Sequence, residues 1–496
     1  MVADSSSDQR PVIHASEILA KIGRGEPIEY YDVIIEGWID LNLILGGLDL
    51  PKEHVDRTEF EKKIGLSDEM KIISSQIKVY NSEIRGYLDF SNVHFKNEVF
   101  FKSTKFTGKA NFWGAKFTEN AGFPEADFGD TANFRGAKFE KIANFIFVKF
   151  SGGYADFWGA QFTGGDAIFG GAKFGMGANF FRARFTGGDA DFACAKFGGD
   201  TCFDDTEFTG GDAIFGGTEF AGDAGFTGAK FVGNASFWQA KFGGIADFSK
   251  ATFNNKLNIT RLKFYRLDLN WKMIENNLVY DGPAYLALIK NFKLLEQFGD
   301  AGDCYYQYRK ESQARKKWYS EENRLIEFLI SCYSWISANI KRISDYLSWI
   351  HDYPPFTWIH RFNWSKLLDW IGFVSCGYGV RIQPIILWVL SSVLGFTLLY
   401  KLLPQSRGGI AESGPSTVTM ETVNNSTLLF TFSSGDGAVS PSWGECLYFS
   451  FTALTGGTPD GLHPVGLCKY AVMIEGVLGY LFLALFVVVL ARKIIR

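Results

Sequence analysis

Phenylalanine recurs in this chain with a fixed period. A small residue stands two positions before it, as in Ala110/Phe112, Ala115/Phe117, Ala126/Phe128, Ala172/Phe174 and Ala229/Phe231. Successive Phe lie five apart, then six or seven, so every fourth one returns after 22 to 24 residues. One file runs Phe112, Phe134, Phe157, Phe180, Phe203, Phe226, Phe248; a second runs Phe117, Phe139, Phe162, Phe185, Phe208, Phe231, Phe253. Self-similarity at a fixed period means stacked units. The unit is too short for a pair of helices, so each coil is built of strands, with coils roughly 4.8 Å apart. About seven coils fit between residues 100 and 253, a rod of roughly 35 Å. The 48 Phe and 54 Gly among 496 residues suit such an array, not a disordered chain, which lacks aromatics.

This pattern resembles the pentapeptide-repeat family. The resemblance implies a right-handed quadrilateral β-helix, with the small residue and the Phe both facing inward. The longer coils carry one or two extra residues at two of four corners. Those extras are Gly-rich, as expected where backbone bulges or takes positive φ. The corner sequence TGGD recurs at 163–166, 186–189 and 209–212, which stacks Asp166, Asp189 and Asp212 in one ladder. Two readings fit it: a Ca²⁺ site, which needs six to eight oxygens, or carboxylates accepting N–H groups in tight turns. From Phe106 to Phe253 there are 17 Asp/Glu and 13 Lys/Arg, a mixed solvated face rather than the acidic surface of a DNA mimic.

Before the Phe array, His14 to Gly23 reads as a short amphipathic helix ended by Gly23, and residues 1–32 as the cap that a solenoid end requires. Alternating apolar residues over 33–41 and 71–90 predict strands, so the solenoid is expected over 33–253. The charged segment from Lys52 to Gly65 reads as a loop or helix on the outside. Seven Cys without CxxC or zinc spacing point away from a metal site or a disulfide framework. The polar N-terminus lacks a signal-peptide core, and a net charge of −4 gives no reason to expect nucleic acid.

Residues 254–380 read as a helical connector with an interfacial, Trp- and Tyr-rich part. A helix is expected from Pro283 to Phe298, and another from Tyr305 to Phe328. Arg309, Lys310, Arg315, Lys316 and Lys317 on the second form a basic cluster, suited either to anionic lipid or to a solvated helix face.

Residues 381–496 read as a membrane domain. Ile385 to Leu403 and Tyr470 to Leu490 are long enough to span, which takes about 20 apolar residues. Between them lie a Gly/Ser/Thr-rich loop (Pro404 to Pro441), a short aromatic segment (Trp443 to Leu454) and a turn (Thr455 to Pro464). Irregular backbone at membrane depth is tolerated only where protein or water covers it, and selectivity filters are built this way. Basic residues before the first span (Arg361, Lys366, Arg381) and after the second (Arg492, Lys493, Arg496) put both termini in the cytoplasm.

Leu447-Tyr448-Phe449-Ser450-Phe451, the turn Thr452/Leu454/Thr455, His463-Pro464, Glu475 with Gly479 and the closing LARK resemble the pore module of two-transmembrane potassium-type channels. The resemblance covers 372–496 and implies an α-helical pore-loop fold assembled as a homotetramer. Thr455, Gly456, Gly457, Thr458, Pro459 and Asp460 occupy the place of the TVGYG filter. A ring of Asp460 would attract cations, or the residue caps an outer turn. Glu475 serves as scaffold or pathway; Gly476 and Gly479 serve as hinge or close packing. Cys446 and Cys468, both toward the outer face, are open to pairing, and His463 supports the turn. The expected protein is therefore a weakly selective or non-selective cation channel, for monovalent or divalent cations. It has no cofactor, and its cytosolic solenoid serves regulation or an unknown partner. The alternatives are a potassium channel with an altered filter and a non-conducting, membrane-anchored scaffold. The expected location is the plasma membrane of a prokaryote. No catalytic constellation is present in the sequence, so an enzyme is not expected. An ending just after the second span leaves cytosolic control to the N-terminal side.

Overall fold

The computed structural model describes residues 9–41, 50–63, 65–316, 363–402, 410–412, 417–423, 427–433, 441–457, 462–464 and 467–494. The chain divides into two compact units, Met1–Cys304 and Tyr305–Arg496.

The first unit is a β-solenoid of about 11 turns. Each coil contributes short parallel strands, such as Lys105–Phe106, Ala110–Asn111, Lys116–Phe117 and Ala121–Gly122, that pair with the same positions one coil away. Both inward positions are buried: Ala110 is 1% and Phe112 0% exposed. The rings stack down each file, with Phe157, Phe180 and Phe203 at 4.8 Å centroid spacing and nearly parallel. Adjacent files meet edge to face, as Phe169 and Phe192 do against Phe180. Offset stacks and T-shaped contacts suit the ring quadrupole, so one side chain satisfies both the axial and the lateral contact.

Strands pair into these ladders from Val12 to Asp268, wider than the expected 33–253. The early coils bury Ile35, Ile73 and Ile84 at the positions where later coils bury Phe, and Ile39, Ile77 and Leu88 where later coils bury Ala, so the Phe signal alone undercounts them. Of the two causes expected for the Gly-rich corners, a bulge occurs at Gly243–Gly244, between Phe242 and Ile245, but positive φ does not explain the TGGD corners. Gly164 and Gly187 are not in the left-handed region; a Cβ on Gly164 would lie 1.7 Å from the Glu140 carbonyl oxygen, and one on Gly187 2.6 Å from Gly164 N. Close approach of successive coils, rather than positive φ, requires glycine there.

Helix α1 (Ala15–Arg24) buries Ala15, Ile18 and Ile22 and ends one residue later than expected, on Gly25 in the left-handed conformation at φ 68°. The outer segment forms a strand (Lys52–His54) antiparallel to Glu69–Ile73 and a short helix α2 (Glu59–Lys63). At the far end, α3 (Trp271–Ile274) and α4 (Gly282–Leu294) close the last coil. Asn291 takes the place of a missing next strand: its Oδ1 accepts the Leu267 N–H at 3.2 Å and its Nδ2 donates to the Leu267 carbonyl at 2.7 Å. Both backbone groups are buried, and unmade hydrogen bonds there cost about 1–3 kcal/mol each. Asn291→Leu is therefore expected to destabilise the solenoid by about 2–4 kcal/mol, read as a lowered urea midpoint. An unchanged midpoint would show that the cap is dispensable. Helix α5 (Phe298–Arg315) carries the chain into the second unit.

In that unit, α6 (Trp364–Cys376) leads through a 3-10 turn at Gly377–Gly379 to the long helix α7 (Gln383–Leu402). The segment expected as a loop contains a strand, Ile410–Glu412, and a hairpin of Thr417–Val423 with Thr427–Ser433. Its alternation of Thr, Val, Leu and Phe has the β-propensity to form one. Then come α8 (Trp443–Leu454), a strand (Leu462–Pro464) and the long helix α9 (Cys468–Ile494).

Candidate functional site

Helix α8 starts on a capping box. Ser442 Oγ accepts the Glu445 N–H at 3.2 Å, and Glu445 Oε2 accepts the Ser442 N–H at 2.5 Å. Two orphan donors of the first turn are thereby satisfied, which allows so short a helix to start sharply. One face, Cys446, Phe449, Ser450 and Ala453, is buried; the other, Trp443, Leu447, Tyr448 and Phe451, is exposed.

Three helices meet on the buried face. Glu475 of α9 is 0% exposed. Tyr400 of α7 donates to its Oε2 at 2.5 Å, and Ser450 of α8 donates to its Oε1. Ser450 Oγ also lies 3.1 Å from the Val393 carbonyl of α7. A carboxylate inside an apolar run needs partners, and these supply them. Glu475 thus sits behind α8, hydrogen-bonded to both α7 and α8. Tyr400 stands edge-on to Phe449 at 5.2 Å. Cys446 and Cys468 are buried in the same cluster as free thiols. Nothing in the sequence singled out Tyr400; only the lone Glu signalled that some partner must exist.

At its C-terminal end α8 turns on Gly456, held at φ 83°. The Gly456 N–H donates to the Ala453 carbonyl at 3.1 Å and the Gly457 N–H to that of Thr452 at 2.9 Å. The Thr452 and Thr455 hydroxyls donate back into the helix, to the carbonyls of Tyr448 and Thr452, both at 2.9 Å. Thr455, Gly456 and Gly457 thus form a tight, exposed turn; Thr458, Pro459 and Asp460 lie outside the described residues. Helix α9 crosses at this point backbone to backbone. A Cβ on Gly479 would lie 1.7 Å from the Leu454 carbonyl oxygen, and one on Gly476 3.6 Å from that of Ala453. Close packing, not hinging, is what the Gly479 contact requires. Tyr480 closes the site, with its hydroxyl 2.8 Å from where a Gly456 Cβ would sit.

The other sequence candidates are dispersed. Asp166 Oδ1 accepts the Asp189 N–H at 3.0 Å, Asp189 Oδ1 that of Asp212 at 2.8 Å, and Asp212 Oδ1 that of Asn234 at 2.8 Å. Each carboxylate ties its corner to the next coil, the turn role of the two considered. Among the described residues no group of three or more His, Cys, Asp or Glu side chains is arranged to hold a metal ion. In the basic cluster, Arg309 and Lys316 both bind Asp369 of α6, and Arg315 binds Glu311 at 2.7 Å. Lys310 is exposed, and Lys317 lies outside the described residues. Most of the charge expected to meet lipid is thus engaged within the unit. The Trp335, Trp349 and Trp358 region also lies outside the described residues.

A family model described as pentapeptide repeats matches residues 80–127 and 203–252, with nine copies. No curated protein and no solved structure matches the chain. The chain thus contains pentapeptide repeats, and they form the β-solenoid.

Proposed function

We propose that the chain is a membrane protein whose second unit forms a cation pathway, four copies surrounding one pore. The observation that carries the reading is the short helix α8 held between two long apolar helices, ending in a Thr/Gly/Gly turn. Helices α7 and α9 are long and apolar enough to cross a membrane, with only 22% and 17% of their most apolar windows buried. A core helix of a soluble protein would bury most of that surface. The exposed face of α8 and the exposed Tyr470, Met473, Ile474 and Val477 of α9 supply surface for neighbouring copies. In this reading the turn residues Thr455 to Asp460 line the narrow part with carbonyls and hydroxyls. Both termini are cytoplasmic, in the plasma membrane of a prokaryote. The solenoid, a right-handed quadrilateral β-helix, acts in the cytosol as a regulatory or partner-binding domain.

Gly456-Gly457-Thr458-Pro459-Asp460 stands where a potassium filter has TVGYG, so the pathway is expected to distinguish K⁺ from Na⁺ weakly or not at all. Purified protein in planar bilayers, with K⁺ on one side and Na⁺ on the other, tests this. Currents reversing near zero support the reading. Reversal near the K⁺ potential would replace it with a potassium channel of altered filter, and silence with a non-conducting scaffold.

A further inference from the structure

Acidic and basic residues are nearly balanced over the repeats, but the coiling sorts them. On one strand file of the solenoid the outward positions are in register from coil to coil. Lys149, Lys173 and Lys196 stand side by side on three consecutive coils, and Lys241 faces Lys263 further along. Asp127 precedes the first group and Glu219 separates the two. These five lysines are exposed. Glu219 is taken by Lys196 at 3.0 Å and Lys241 at 2.6 Å, and Asp127 accepts from Ser151 Oγ at 2.5 Å. The Lys149 and Lys173 ammonium groups make no ion pair or hydrogen bond among the described residues. Like charges directly opposite on neighbouring strands destabilise a sheet, and here three follow in a row. Another file treats its basic residues differently: Lys116 and Lys138 share Glu140, while Arg184 and Lys230 share Glu207.

A groove of about 560 Å³ runs beside the lysine file, lined by Lys173, Lys196 and Lys241, by Glu219, which the last two of these lysines neutralise, and by the small corner residues Gly175, Gly198, Ala221 and Gly243. We infer that this file binds a linear phosphate polyanion, inorganic polyphosphate, laid along the solenoid axis.

Charge complementarity and shape select that occupant. Lysine acts as a point-charge phosphate binder and imposes no planar geometry. An extended acidic peptide offers same-side carboxylates only every ~6.6–6.8 Å, out of step with amines one per coil, at roughly 4.8 Å. An unbranched phosphate chain carries charge on every phosphorus and meets each coil. Single-stranded nucleic acid calls for aromatic platforms, and the Phe174, Phe197 and Phe220 rings beneath the groove are buried. A flat anionic membrane would press against the exposed carboxylates that flank the file, Glu125 on one side and Asp200 and Asp223 on the other. A single strand passes between them.

The inference is independent of whether the second unit conducts. The full-length protein in detergent, titrated with inorganic polyphosphate of defined length at rising salt, is expected to bind it, more weakly as salt increases. K149Q/K173Q/K196Q is expected to weaken binding about tenfold, and K116Q/K138Q to leave it unchanged. The triple variant removes repulsion, so its melting temperature is expected to hold or rise; an earlier melt would overturn the premise that these charges oppose one another. Absence of binding by the native protein, an equal loss in K116Q/K138Q, or tighter binding of duplex DNA, poly-glutamate or anionic vesicles would each overturn the inference.

Discussion

A Gly479→Ala protein is expected to carry no current above background in the bilayer experiment, while its solenoid melts normally. The added Cβ would stand 1.7 Å from the Leu454 carbonyl oxygen and 2.8 Å from its carbonyl carbon. Both are backbone atoms of α8, so no rotamer change relieves the clash. The two helices must separate by more than an ångström, and the turn at Thr455–Gly457 moves with them. Misplacements of about 1 Å already disable preorganised sites. Gly476→Ala is the matched control, because its Cβ would lie at an ordinary 3.6 Å from the Ala453 carbonyl. Native-like current through Gly479→Ala would show that the α8–α9 crossing does not support the pathway.

Phe180→Ala is expected to cost the solenoid about 3–5 kcal/mol, the range for removing a buried aromatic ring. Phe180 is 0% exposed. Its ring is stacked between Phe157 and Phe203 and edge-on to Phe169 and Phe192, so the cavity would lose contacts in every direction. Collapse to fill it is blocked by the coil spacing, which the backbone ladders hold fixed. Each coil contacts only its neighbours, so the loss weakens the interfaces on both sides. Phe147, by contrast, is 57% exposed, and Phe147→Ala is expected to stay within about 0.5 kcal/mol. Urea unfolding of both variants measures the difference. A loss below about 1 kcal/mol for Phe180→Ala would mean that the stack is not what holds the coils.

Much of this architecture was legible because its signals are local. A Phe two residues after an Ala occupies the same place in every coil, so one unit predicts the next. The short segment from Trp443 to Leu454 was equally plain, lying between apolar runs, although the Ser442–Glu445 capping box that starts its helix emerged only from the structure. The first coils were harder, since Ile73 and Ile84 stand at Phe positions and Ile39, Ile77 and Leu88 at Ala positions, which removes the beat. The closing cap was invisible, because Asn291 resembles any helical Asn until its side chain meets Leu267, 24 residues earlier in sequence. The hairpin at 417–433 was passed over because its Thr and Ser content reads as loop before the alternation is weighed.

The amino-acid order by itself determined the solenoid, the two long apolar helices and the short helix between them. Each rests on periodicity or on a contiguous apolar run within one segment. Only the tertiary structure decided that Glu475 faces Ser450 and Tyr400, the latter 75 residues away, and that Gly479 is where two backbones touch. It also decided that a nearly neutral repeat sets Lys149, Lys173 and Lys196 in one row. The reason is common to all three: these are relations between groups far apart along the chain, and spacing within a segment specifies a side chain's face but not what arrives opposite it.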